Sequence, residues 1–217
     1  MPLPAKIIEP RWERRKDARP GELAAAALEL FIERGFAATR LDDVAKRAGV
    51  SKGTLYLYFD SKEDLFKAVI REGYVAPLAE AEQFLASFDG SSSDLIREIF
   101  RRWWVQVGST DQAGMTKLII AEAGNFPELA RFYHDEVIQR SHALLDHAIQ
   151  RGIARGEFRD VDHEYSGRIS CAPMVMMMLW KHSFAPCVDH QIDPEKYIAT
   201  ITDMLLNGLT RRESPDK

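Results

Sequence analysis

The residues with chemistry to offer lie close together: Ser51, Lys52, Gly53, Thr54 and Tyr56 bring two hydroxyls, an ammonium, a glycine and a phenol to one short segment. Such a set at a helix start suits contact with a phosphate-rich, hydrogen-bonding surface. The small residues let the backbone come close, and the polar ones meet phosphate oxygens or base edges. Signs of catalysis are missing, since the chain has no G-x-S-x-G, H-E-x-x-H, phosphate loop or dinucleotide fingerprint. His142 and His147 are five apart and so do not share a helix face as zinc pairs do; with His182 they read as surface or core histidines. Cys171 and Cys187 have no C-x-x-C spacing and read as buried or half-buried thiols. No cofactor, metal or catalytic group is expected.

The elements that must hold these residues are helices, because apolar residues recur at three and four, and the longest β-branched run is Ile119-Ile120. A first helix is predicted from Pro20 to Arg34, stopped by Gly35. Thr39 followed by Asp42 resembles a capping box and starts a second helix over about Leu41 to Ala48. Gly49 turns the chain, Val50 packs inward, and Ser51 caps a third helix from Lys52 to about Tyr58. Two short helices across a glycine turn make a helix-turn-helix. Ser61 and Asp64 cap a fourth helix running to about Phe88, with a kink or break expected near Gly73 to Pro77 because Pro77 lacks a donor. Longer helices are predicted over about Asp94 to Val107, Gln112 to Ala123, Pro127 to Gly152, His163 to Phe184 and Pro194 to Leu209.

The run from Gly35 to Phe59, with Ala48-Gly49-Val50-Ser51 at the turn and Tyr56-Leu57-Tyr58-Phe59 after it, followed by Ser61-Lys62-Glu63-Asp64-Leu65, resembles the DNA-binding domain of the TetR family. The resemblance covers about Gly21 to Ile70. It implies an all-α protein: an N-terminal three-helix, homeodomain-like helix-turn-helix domain, then a helical ligand-binding and dimerisation domain. The expected division is a basic flexible arm at 1–19, the DNA-binding domain at 20–66, the effector and dimer domain at 67–212, and a disordered tail at 213–217. By this resemblance Lys52 and Thr54 face bases or adjacent phosphates, and Tyr56 and Lys62 contact phosphates. Ser51 and Gly53 complete the close approach, and Thr39 belongs to the same DNA-facing set. Arg40 stands where relatives carry a small hydroxyl residue, and either takes over that phosphate contact or is simply solvated. Leu57 replaces a polar residue of many relatives, and either touches a thymine methyl or no base. Tyr58 reads as core or as DNA contact, Leu55 and Phe59 as core.

In the rest of the chain aromatic residues and methionines crowd together, above all Met174, Met176, Met177 and Met178. Methionine suits surfaces that accept varied shapes. The resemblance implies that Trp103, Val107, Met115, Leu118, Phe126, Met177 and Trp180 line an effector pocket, and that Ile169, Pro173, Val175, Leu179 and Leu205 form a dimer interface. Glu122, in an otherwise apolar stretch, either bonds a ligand or pairs with an arginine. The implied partners are double-stranded DNA with a palindromic operator, an apolar small-molecule effector and a second copy of the chain. A helical small-molecule carrier without specific DNA binding is the alternative.

Composition is compatible with this. An apolar fraction of 46% supports a buried core. The net charge of −4 hides a difference in sign, since the chain to Val75 has 14 Lys or Arg against 12 Asp or Glu and the remainder 15 against 21. Arg11, Arg14, Arg15, Lys16 and Arg19 bunch ahead of the first helix, as a solvated tail or an arm that reaches phosphates or the minor groove. With neither a membrane span nor a signal-peptide pattern after Met1-Pro2-Leu3-Pro4, the expected location is the cytoplasm.

Overall fold

The computed structural model describes residues 20–162, 164–189 and 191–210, so the basic arm and the tail lie outside the described residues. Among these, all regular structure is helical, apart from one isolated antiparallel pair between Phe158 and Thr210.

The head begins with α1 (Pro20–Ala38), whose Leu23, Ala27, Leu30 and Phe31 are fully buried. Gly35 does not end this helix as expected but kinks it, with φ 83° and ψ 167°. That left-handed φ is one a side chain resists, and it turns Phe36 back so that its ring lies 5.6 Å from Phe31 and 5.5 Å from Phe66. Helix α2 (Leu41–Arg47) and α3 (Lys52–Tyr56) follow, joined through Gly49 at φ 71° with Val50 buried beneath. Ser51 accepts from the Thr54 N–H at 3.0 Å, and Ser61 accepts from the Asp64 N–H at 3.0 Å, so both caps form as the sequence indicates. The Thr39 cap does not. Arg40 holds the N-cap place of α2 without a side-chain bond, while the Thr39 hydroxyl turns inward to the Leu30 and Gly35 carbonyls at 3.1 and 2.7 Å. The extended ψ of Gly35 turns its carbonyl out of the helical direction, where the hydroxyl meets it.

Helix α4 (Lys62–Ile70) runs through a π-helical segment (Arg71–Val75) into α5 (Ala76–Ser87). This segment is the form the expected kink takes. Pro77 has no N–H for the Gly73 carbonyl and its ring would press on that turn; widening it, with the Ala76 N–H bonded to the Arg71 carbonyl, absorbs the conflict without breaking the helix.

The body comprises α6 (Ser92–Trp103), α7 (Ala113–Glu122), α8 (Pro127–Tyr133), α9 (Gln139–Ala154), α10 (Ser166–Ser183) and α11 (Pro194–Leu209). A second π segment, Trp104–Gly108, prolongs α6, and a third, His134–Ile138, joins α8 to α9 in one long rod. Cations finish the loops. Lys181 donates to the carbonyls of Gly108, Ser109 and Thr110, and Arg151 to those of Phe88 and Gly90 and to the Ser92 hydroxyl, where helix ends leave acceptors without partners. Head and body share a junction: α1 lies on α7, Phe36 meets Phe126 edge-on at 4.7 Å, and Arg71 sits 5.2 Å over the Phe132 ring.

Candidate nucleic-acid interface and internal cavity

Helix α3 turns one side inward through Leu55, with Phe59 and Val50 beside it, and leaves Lys52, Gly53, Tyr56, Leu57 and Tyr58 on the surface. Leu57 is 81% exposed, with the exposed rings of Tyr56 and Tyr58 on either side of it in sequence. A Cβ at Gly53 would meet only the Ser51 hydroxyl, at 3.8 Å, so no neighbour within the protein demands a glycine there. The Thr54 hydroxyl shares a 2.8 Å bond with Ser51 and is half-buried. Lys52 is held 2.7 Å from Asp42, which raises its pKa, and lies 5.8 Å over the Tyr56 ring. An exposed pair of this kind contributes little and separates at small cost.

Three other expected DNA-facing residues lie differently. Arg40 is exposed; its carbonyl accepts from the Asp43 and Val44 N–H groups at 3.0 and 3.2 Å, while its side chain makes no hydrogen bond or ion pair with the described residues. Thr39 is 1% exposed and fully engaged at the α1 kink. Lys62 donates to the Phe36 and Ala37 carbonyls at 2.7 and 3.1 Å and rests 4.5 Å over the Phe36 ring. Its pKa is lowered by partial burial. Two of its three ammonium hydrogens therefore close the end of α1, and one remains.

The body holds a partly open cavity of about 240 Å³, with the exposed Ile120 among its lining residues. Each surrounding helix gives it one face at helical spacing: Ile99, Phe100 and Trp103 from α6; Thr116, Ile119, Ile120 and Ala123 from α7; Ser141, Leu144 and Leu145 from α9; Cys171, Met174, Val175 and Met178 from α10. Pro77, Leu78 and Ala81 of α5 complete the wall, with Val137 and Ile138 from one π segment and Gln106 from another. Polar groups are few, chiefly Thr116, Tyr133, Ser141 and His142. Burial, and after it the charges of Arg168 and His134, keeps His142 below the usual histidine range. Burial pushes the Cys171 thiol up to about 12, which leaves it protonated.

Of the residues expected to line a pocket, only Trp103 does so. Val107, Met115 and Met177 are core, one helical step from the wall residues, and Leu118 is half-buried outside it. Phe126 belongs to the head–body junction, and Trp180 packs against Phe184 with ring centroids 5.3 Å apart. Glu122 neither reaches the cavity nor pairs with a described arginine; it accepts from the Asn125 amide at 2.9 Å beside Gly35. The expected interface residues divide as well. Val175 lines the cavity and Leu179 is half-buried on α10. Ile169, Pro173 and Leu205 border a second, more open depression of about 450 Å³ between α10 and α11, floored by Phe100 and Ile149, where Ile169 is 66% and Met204 71% exposed. Tyr133 and Ser141 were not expected at the cavity, and His142 was read only as a surface or core histidine; the polar pair Ser141-His142 within the apolar Val137-to-Leu145 face was the available signal. No group of metal-ligating side chains occurs among the described residues, nor is any of their helices long and apolar enough to cross a membrane.

Comparison with known proteins agrees with this arrangement. Residues 23–69 match the family described as bacterial regulatory proteins of the tetR family, and residues 89–193 match the tetracyclin repressor-like C-terminal domain. The uncharacterised HTH-type transcriptional regulator YfiR of Bacillus subtilis is 32% identical over 156 residues, 67% of this chain and 71% of that protein. The HTH-type transcriptional activator FasR of Mycolicibacterium smegmatis is 48% identical over 56 residues, but the match spans only 26% of either chain. In three dimensions, the fatty acid degradation regulator FadR from Bacillus halodurans superposes with a TM-score of 0.74 at 22% identity, covering 91% of this chain and all of that one. The helix-turn-helix head, the helical body behind it and these matches together make the chain a member of the TetR family of DNA-binding transcriptional regulators.

Proposed function

We propose that the chain acts as a homodimeric repressor that binds a palindromic operator and is released when an apolar small molecule fills the cavity. The observation that carries this reading is the wall contributed by α5. Pro77, Leu78 and Ala81 touch the cavity from the same helical rod that begins at Lys62 in the head. A ligand pressing there shifts the head only if it binds the DNA-free arrangement more tightly, since equal affinity for both arrangements moves nothing. The head is taken as 20–66 and the effector body as 67–212, so the dividing line falls inside α4.

In this reading Lys52, Gly53, Thr54 and Leu57 approach base edges, while Arg40, Tyr56, Tyr58 and the spare Lys62 hydrogen face phosphates. One short helix reads too few bases for a unique address, which favours two heads on a two-fold site. The apolar strip of Ile169, Pro173, Met204 and Leu205 on α10 and α11 is the surface best suited to a second copy. The lining supports an apolar effector, as does the likeness to the structural relative from B. halodurans, a regulator of fatty acid degradation. The name of the M. smegmatis relative, an activator, favours a second reading in which the bound dimer recruits rather than blocks transcription.

The test is operator binding by fluorescence anisotropy with DNA selected from a random pool, together with sedimentation. The expected result is a dimer bound to an inverted repeat whose affinity falls as effector is added. A monomer that binds a single half-site tightly overturns the dimer reading. Effector that binds without weakening the operator complex overturns the release reading, and an operator upstream of an activated promoter selects the second one.

A further inference from the structure

The polar end of the cavity has a direction. Tyr74, in the π segment after α4, donates its only hydroxyl hydrogen to the Gln112 carbonyl at 2.5 Å. Its 2.8 Å bond to Thr116 therefore has the threonine as donor. With the Thr116 hydrogen spent, the 3.2 Å bond between Thr116 and Tyr133 has the Tyr133 phenol as donor. The Gln112 carbonyl, which can only accept, thus orients all three hydroxyls, and the chain ends in the Tyr133 oxygen with lone pairs and no free hydrogen. Thr116 and Tyr133 both line the cavity and both are buried.

We propose that the cavity selects an uncharged apolar ligand with a hydroxyl, which donates its hydrogen to the Tyr133 phenol oxygen. This rests on the reading of the cavity as the effector site and specifies the chemistry that site accepts. The residues lining the cavity include no Lys, Arg, Asp or Glu, so a carboxylate or phosphate would lose its hydration there without a counter-charge. A ketone or ether brings only acceptors, which face the Tyr133 lone pairs without a hydrogen between them. Ser141 and His142 can each donate or accept and so do not choose among ligands. Burial lifts the Tyr133 phenol to about 12 and Tyr74 well above its ordinary value, so both keep their hydrogens at neutral pH and the direction is stable. The volume equals that of roughly eight waters at about 30 Å³ each, enough for an alcohol of similar heavy-atom count.

The test is calorimetric titration of the full chain with octan-1-ol, 1-methoxyheptane and octanoate, repeated on Tyr133→Phe. These probes match in length and differ only in the polar end. In the unmodified protein octan-1-ol should bind about tenfold more tightly than the ether, the net worth of one hydrogen bond, with octanoate weaker than the alcohol. Tyr133→Phe should remove the alcohol's advantage and leave the ether's affinity unchanged, and unchanged ether binding also shows that the variant is folded. Equal binding of alcohol and ether, tightest binding of octanoate, or an alcohol preference that survives Tyr133→Phe overturns the inference while leaving the cavity as an effector site. Absence of binding by all three overturns both.

Discussion

The Tyr74 hydroxyl donates to the main-chain oxygen of Gln112 at 2.5 Å, tying the widened turn of the rod that leaves the head to the residue just before α7. Gly73, next to Tyr74, also faces this residue: an added Cβ there would run into the Gln112 side-chain amide. Tyr74 also packs against two cavity-lining rings, Trp103 at 5.9 Å and Tyr133 at 5.6 Å. Tyr74→Phe keeps the ring contacts and removes the bond. It leaves the Thr116 hydroxyl and the Gln112 carbonyl short of a partner and should cost ~1–3 kcal/mol of folding stability by urea denaturation. If this bond also carries the coupling, effector should still bind the variant but weaken its operator complex less than in the parent. A fully retained effector response would show that coupling runs elsewhere.

Gly53→Ala separates DNA contact from folding. The added methyl group meets open space, and alanine is the better helix former by ~1 kcal/mol, so thermal stability should hold or rise. Operator affinity should nevertheless drop about tenfold or more, because the backbone can no longer come as close to the groove. Unchanged affinity would remove α3's N-terminal end from the interface.

Lys62→Met should show two effects at once. Loss of the bonds to the Phe36 and Ala37 carbonyls should lower stability by ~1 kcal/mol. Loss of the spare phosphate contact should reduce the slope of log affinity against log salt by about one. A stability loss with an unchanged slope would make Lys62 a purely internal clasp.

Acid should loosen α6. The bidentate bond from Arg101, aided by Arg102, holds the Glu98 carboxyl down to about 2 from its ordinary 4.5. A depressed carboxyl stabilises above its unfolded value and loses that contribution as pH falls toward the folded one. The stability gap between the parent and Glu98→Gln should therefore be constant above about pH 5 and close between 4.5 and 2, followed by urea midpoint. The carboxyl is half-buried but its arginine partners stand in solvent, so the gap should be about 1 kcal/mol. A gap that persists at pH 2 would assign it to packing.

The sequence disclosed helices more readily than it disclosed empty space. Helical spacing marked α11 at Pro194–Leu209 with both ends as expected, and the Ser51 and Ser61 caps formed with the N–H groups three residues on. At Thr39 a competitor exists, the Leu30 and Gly35 carbonyls, and no local pattern reveals a partner nine residues away. The cavity posed a similar difficulty. Spacing identifies which face of α7 or α10 turns inward, but Met115 and Thr116 are both buried, and only the packing of other helices decides which of them borders the void. Pro77 announced a disturbance in the rod, whereas its form depends on hydrogen bonding that composition does not encode.

The empty space around Gly53 and the outward Leu57 also bear on how such a regulator can diversify. Side chains on that surface carry almost no duty toward the fold, while the cavity wall is made of residues that are also core. A lineage can therefore rewrite its DNA address by single substitutions with little harm to the scaffold, whereas a change of effector must be negotiated with stability. Over time the address should drift faster than the chemical sense, and an engineer who wishes to redirect this switch would do well to start at the head.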